Sequence, residues 1–219
     1  MLVELSILLW NVHGIPLVGA KPEEVANFLY HHPADVYALQ EVFTNKMHDA
    51  IVNAVRPDNE TWQKHSGVLT LTRGELISSH QSHFRQTSWS RLDFLVKKGF
   101  ISTLNNDFLL LVNTHLDAGG DVPSNLVRAS QLQEIMGHTN VHTGPFILAG
   151  DLNMKEERPL DDHIVKRFVD EYGFKIAGAT KTDYILLRGG VELIGYEVMY
   201  TLISDHFPIR AKIRYENDD

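Results

Sequence analysis

The chain has 219 residues and a formal net charge of −8, from 20 basic and 28 acidic side chains. A hydrophobic content of 43% and a charged content of 22% exclude a disordered chain. The absence of cysteine excludes disulfides and thiolate metal sites, and no apolar run approaches the roughly 20 residues that span a bilayer.

The opening Met1-Leu2-Val3-Glu4-Leu5 has no basic stretch and carries an acid, which makes a poor signal peptide, so a soluble cytoplasmic protein is expected. No linker interrupts the alternation of apolar runs and turns, and one domain over residues 1–219 is expected. The acidic balance argues mildly against tight nucleic-acid binding, which uses a basic surface to release counterions. A local basic patch or a bound metal ion can still receive a phosphate. Most of the 12 histidines are scattered, as surface or core histidines are.

In chain order, Leu5 to Val12 reads as a buried strand ending in polar Asn11. Lys21-Pro22-Glu23-Glu24 starts a helix, with proline early and acids in the first turn, and that helix should end before Pro33. Val36 to Glu41 is a second strand, and Thr44 caps a helix that runs to about Val55. Val68–Thr72, Leu95-Val96 with Phe100–Thr103, and Phe108–Thr114 look like consecutive antiparallel strands, with a turn at Asn105-Asn106-Asp107. Ser124 is placed to cap a helix whose Leu126, Leu132, Ile135 and Met136 share a face. An apolar strand, Phe146–Gly150, precedes a loop and a helix through Ile164, Phe168 and Val169. Strands over Thr182–Leu187, Val191–Met199 and Phe207–Ile213 close the chain. Strands outnumber helices, which points to two packed sheets covered by helices, an α/β (α+β) class.

Five apolar strands meet polar clusters at their ends: Asn11, Glu41, Asn113-Thr114-His115, Asp151-Leu152-Asn153, and Ser204-Asp205-His206 before the last strand. Stability does not call for such ends. On an extended segment Asp151 and Asn153 point the same way, one suited to a water and the other to a phosphoryl oxygen, although Asp and Asn also favour turns. His206 suits acid/base work if a carboxylate fixes its tautomer. Asp205 is adjacent and faces the other way, so Asp183 is the better partner. Glu41 at a buried strand end needs a partner or a cation, and oxygen donors without cysteine favour Mg2+ or Mn2+. Asn11 and His115 are ambiguous singly, and each motif alone also fits a structural role. Their joint occurrence in this order does not.

That ordered set resembles the endonuclease/exonuclease/phosphatase (DNase I-like) superfamily, over nearly the whole chain from Trp10-Asn11 to Asp205-His206-Phe207-Pro208. The resemblance implies a four-layer α/β/β/α sandwich and Mg2+-dependent, in-line attack of water on phosphorus. It implies Glu41 as principal metal ligand, Asn11 as a supporting one and Asp205 near the metal. Asp151 would hold or deprotonate the water, Asn153 would contact the phosphate, His206 with Asp183 would be the acid/base pair, and His115 would stabilise developing negative charge. Asn11-Val12-His13-Gly14-Ile15-Pro16, Gly67 to Arg73, Lys97-Lys98-Gly99-Phe100 and the helix carrying Arg128 and Gln131 lean toward the neutral sphingomyelinase-like branch. A phosphoester substrate, such as a phospholipid headgroup or small phosphodiester, is therefore expected, with a DNA or RNA nuclease as the alternative. A non-enzymatic binding module is disfavoured because all eight positions hold chemically competent residues.

Overall fold

The computed structural model describes residues 1–88, 96–139 and 141–217. Its elements run β1 (Leu2–Asn11), α1 (Pro22–His31), β2 (Val36–Gln40), α2 (Asn45–Val55), β3 (Asn59–Gln63), β4 (Val68–Thr72), β5 (Leu76–His83), β6 (Gly99–Asn105), β7 (Leu110–His115), α3 (Val122–Thr139), β8 (Phe146–Asp151), α4 (Pro159–Tyr172), β9 (Lys175–Thr180), β10 (Asp183–Arg188), β11 (Glu192–Val198) and β12 (Ile209–Glu216). They form two six-stranded sheets, ordered β11-β12-β1-β2-β4-β3 and β5-β6-β7-β8-β10-β9. Each is mixed: β1 is parallel to β2 and β7 to β8, and the other pairs are antiparallel.

The central strands are apolar on both faces because both are covered. Along β1, Leu5, Ile7 and Leu9 pack between the sheets, while Leu8 and Trp10 pack against α1 and α2. In β8 and β10, Ile147, Ala149, Ile185 and Leu187 face the gap between sheets. Phe146, Leu148, Tyr184 and Leu186 instead join α3 and α4. Three apolar layers thus separate four layers of secondary structure, the α/β/β/α sandwich of the DNase I-like fold. Two polar side chains cross the inter-sheet gap. Gln40 Nε2 donates to Asn113 Oδ1 at 2.7 Å, and Asn113 Nδ2 donates to Leu69 O at 2.9 Å and Thr70 Oγ1 at 3.2 Å.

Several local expectations hold. Pro22 opens α1 with Glu23 and Glu24 in the first turn, and Thr44 Oγ1 accepts from Met47 N at 3.1 Å as the cap of α2. Others need correction. Val68–Thr72 does not continue into the next strands: β4 belongs to the first sheet, and β6 and β7 to the second. Leu95 lies outside the described residues, and β6 begins only at Gly99. Ser124 lies inside α3, where its backbone N–H is accepted by Asp121 Oδ1 at 2.9 Å, so Asp121 supplies the cap. Leu126 is exposed, while Leu132, Ile135 and Met136 are buried. Strands β3, β5 and β9 lack a strand signature in the sequence because they are polar edge or near-solvent strands. Among the described residues, no helix is long and apolar enough to cross a membrane.

Candidate active site

Sheet periodicity puts the polar strand ends into one opening. Asn11 has the parity of Leu5, Ile7 and Leu9, so its side chain enters the inter-sheet gap where the apolar filling stops. From the other sheet, His115, Asp151 and Asp183 lie in one row, because His115 pairs in register with Asp151 and Asp151 with Asp183. All three are almost completely buried.

Hydrogen bonds join the two halves. Asn11 Nδ2 donates to Glu41 Oε1 at 3.0 Å and to Asp151 Oδ2 at 2.9 Å, so one amide holds two carboxylates from different sheets. Asn11 Oδ1 accepts from His13 N at 3.0 Å. Glu41 follows β2 with φ 62°, a left-handed conformation that a non-glycine residue adopts only when its surroundings impose it. Gly14 makes that possible, since a Cβ there would lie 2.2 Å from Glu41 O.

Asp183 Oδ2 and His206 Nδ1 are 2.7 Å apart, which leaves His206 Nε2 facing Asp151 Oδ2 at 3.9 Å. Burial alone would lower His206. Its bond to Asp183 and the charges of Asp183, Asp151 and Asp205 reverse that and raise it to about 9, so the ring is a cation at neutral pH. Burial lifts Asp183 to about 7 against the lowering effect of His206. Burial also opposes charge on Asp151. His115, His206, the Asn11 amide and Lys98 outweigh it and hold the carboxyl below its ordinary range. His115 itself, lowered to about 3 by burial and by the Lys98 ammonium, is neutral near pH 7. Its support of Asp151 therefore belongs to strongly acidic conditions. Its Nε2 lies 2.7 Å from Lys98 Nζ and 3.5 Å from Asp151 Oδ2.

Asn153 departs from the extended geometry expected of it. Its φ is 53°, its backbone N–H is accepted by Asp151 Oδ1 at 2.9 Å, and its Nδ2 donates to Leu116 O at 2.9 Å. The segment is thus a tight Asx-type turn, which brings an amide beside Asp151 by curling back. Asp205 stands at the rim: its carboxylate is 65% exposed and lies 3.3 Å from His13 Nδ1.

Glu41 Oε2 is buried with no hydrogen-bond partner among the described residues. An orphaned oxygen on a carboxylate whose other oxygen accepts from the Asn11 amide fits a hard divalent cation, which would satisfy it. Asp151, Asp183 and His206 also offer one donor atom each within 4.8 Å of one another, a second possible metal-binding group. In that group His206 Nδ1 and Asp183 Oδ2 are already engaged with each other, while Asp183 Oδ1, like Glu41 Oε2, is buried with no hydrogen-bond partner among the described residues.

The Endonuclease/Exonuclease/phosphatase family model matches residues 8–206. The chain belongs to this family. Members of the superfamily are hydrolases acting on phosphoester bonds. No curated protein matches the sequence. Among solved structures, the chain is similar to sphingomyelinase C from Streptomyces griseocarneus, with TM-score 0.74, 17% identity and coverage of 96% of this chain and 99% of that one. A variant of beta toxin from Staphylococcus aureus with bound magnesium ions matches with TM-score 0.72, 17% identity and coverage of 95% and 99%. Humanized TDP2 of D. rerio matches with TM-score 0.71, 20% identity and coverage of 96% and 98%. At these identities the likeness establishes the shared DNase I-like fold.

Some residues that shape this cluster carry no role that the sequence reveals. Lys98 precedes an apolar strand, and nothing in its neighbours shows that it reaches His115. Trp10 Nε1 donates to His206 O at 3.1 Å, and Ser204 Oγ donates to Asn11 O at 2.8 Å while accepting from His206 N at 3.1 Å. These two side chains pin the His206 loop to the end of β1. The Ser204-Asp205-His206 spacing holds the only signal for the second contact, since a serine two residues before a histidine suits a local turn.

Proposed function

We propose that this protein is a divalent-metal-dependent phosphodiesterase that directs water in line at phosphorus, with a phospholipid headgroup or a small phosphodiester as substrate. The observation that carries the reading is the meeting of Glu41, Asp151 and the His206–Asp183 pair around one Asn11 amide at the mouth of the inter-sheet gap.

Glu41, with Asn11, would hold the cation. When bound, Mg2+ or Mn2+ supplies polarisation of a phosphoryl oxygen and a counter-charge for the leaving oxygen. Asp151, ionised at neutral pH, accepts a hydrogen bond from water and orients or deprotonates it. His206, a cation held by Asp183, donates from Nε2 toward charge that builds on the phosphoryl oxygens. Lys98 adds positive charge behind neutral His115, so that corner of the site also favours an anion. Asn153 presents its turn beside Asp151 on the remaining side.

The sphingomyelinase-like lean rests on the Asn11 to Pro16 segment and on the likeness to sphingomyelinase C. The test is hydrolysis of bis-p-nitrophenyl phosphate, sphingomyelin vesicles and single- and double-stranded nucleic acid, with and without Mg2+, using Asp151→Ala as control. Mg2+-dependent turnover of a diester that Asp151→Ala abolishes supports the reading, and equal turnover by the variant ends it.

A further inference from the structure

Beside the catalytic cluster, and unused by the chemistry above, lies a polar cavity of about 190 Å3. It is walled by Gly119 and Gly120 from the loop after β7, by Asn153 and Thr182 next to Asp151 and Asp183, and by two cations, Lys155 and Arg158.

The charge balance of this corner is unusual for a chain carrying −8 overall. Buried Arg128 and Asp161 neutralise one another across a 2.8 Å contact, with Asn125 Nδ2 donating to the same Asp161 oxygen at 2.7 Å. The other oxygen of Asp161 accepts from Lys155 N at 3.1 Å and lies 3.7 Å from Arg158 NH1. Asp161 therefore fixes the backbone of the Lys155–Arg158 loop, but its charge is already taken by Arg128. Among the described residues, Lys155 has no carboxylate within ion-pairing distance, and Arg158 has only that long contact to Asp161. Glu156 and Glu157, between them in sequence, are exposed and do not line the cavity. Glycine at 120 leaves the guanidinium room, since a Cβ there would come within 3.2 Å of it. Two cations under-compensated around a polar cavity, with polar Asn153 and Thr182 on its catalytic side, match a phosphate.

We propose that this cavity is a second anion subsite, which receives an additional phosphate group of a substrate whose reacting phosphoryl group lies by Asp151 and His206. Its place next to reacting phosphorus rests on the phosphodiesterase reading, but its affinity for a phosphate does not.

Two measurements separate those claims. In the first, 15N-labelled protein is titrated with inorganic phosphate at constant ionic strength in EDTA, for wild type and for the Lys155→Ala/Arg158→Ala double variant. Because both side chains are partly exposed, the variant should fold. Saturable shifts of the Gly119, Gly120 and Thr182 amides, weakened about tenfold or more in the variant, support the subsite. No shift there, or equal affinity in both proteins, overturns it. In the second, the 5′-p-nitrophenyl ester of thymidine phosphate is compared with the same ester carrying a 3′-phosphate. The added phosphate should lower KM in wild type, and the double variant should erase that gain with little change in kcat. A KM indifferent to the 3′-phosphate, or a gain that survives in the variant, overturns the assignment to substrate. Hydrolysis of neither ester would count against the phosphodiesterase reading, and the phosphate titration would still decide the subsite.

Discussion

Asp151 and Asp183 face each other as register partners on antiparallel β8 and β10, and His206 bridges them, 2.7 Å from one carboxylate and 3.9 Å from the other. Two buried acids so close would repel if both were charged. The imidazolium between them relieves that: strand pairing sets the two carboxylates, and the loop pinned by Trp10 and Ser204 sets the ring.

Replacing Asp183 by Asn removes the nearest charge that raises His206 and leaves at most a neutral hydrogen bond in place of a charge-assisted one. The His206 ring, followed by NMR titration, is expected to fall from about 9 toward or below its ordinary 6.5. The alkaline limb of kcat/KM should move down with it. The stability consequence has a definite sign. The folded value lies above the unfolded one, so the contribution is complete below pH 6.5 and is lost as pH rises through about 9. Wild-type Tm should therefore decline across that window, and Asp183→Asn should flatten the decline.

Asp151→Ala should fold, because its strand neighbours keep their ladder bonds, and should lower kcat by about 10²–10⁴. Thermal unfolding and steady-state kinetics on a common diester check both halves. A variant that loses activity only in proportion to its unfolded fraction would contradict the role.

Glu41→Gln keeps the shape and an oxygen for the Asn11 amide but removes the charge on the orphaned oxygen. Wild type in Mg2+ at 100 times its dissociation constant should gain about 2.7 kcal/mol of stability. The variant should show little or no such gain in a thermal shift series with and without EDTA, which reports on cation binding independently of turnover.

Gly150→Ala and Gly137→Ala should act in opposite directions. A Cβ at Gly150 would lie 2.1 Å from Thr114 O, between β7 and β8, whereas one at Gly137, inside α3, meets nothing within 4 Å. The first should cost about 1–3 kcal/mol and disturb the His115–Asp151 row, lowering activity as well. The second should stabilise by about 0.5–1 kcal/mol, as alanine does over glycine in a helix, without touching kinetics. Denaturant melts of the two variants decide it.

The central strands are legible in the sequence because they are apolar on both faces and end in polar residues, a pattern that by itself puts Asn11, Glu41, His115 and Asp151 at strand ends. Edge strands such as β5, which reads Leu-Ile-Ser-Ser-His-Gln-Ser-His, carry no such pattern, since neither face is fully covered. Sheet membership is not legible either. β4 and β6 look alike locally: β6 is assigned by its hairpin with β7, which the turn at 105–107 signals, whereas β4 is assigned only by pairing with distant β2. At the site, alternation along the chain turns Asp205 away from His206, which leaves Asp183 as the better candidate, and the 2.7 Å contact agrees. The Lys98–His115 contact arises from neighbouring strands meeting in register (Gly99 opposite His115), and spacing along one strand does not encode it.

The Gln40–Asn113 bond lies one residue inward from Glu41 on one sheet and two inward from His115 on the other. Sliding the layers past one another by a single residue would strand both amides in hydrocarbon, at a cost far above thermal energy. The gauge between the Glu41 side and the Asp151 side is thus locked beneath the surface, and under the proposed function the rim loops can diverge without altering the span between the groups assigned to cation and water.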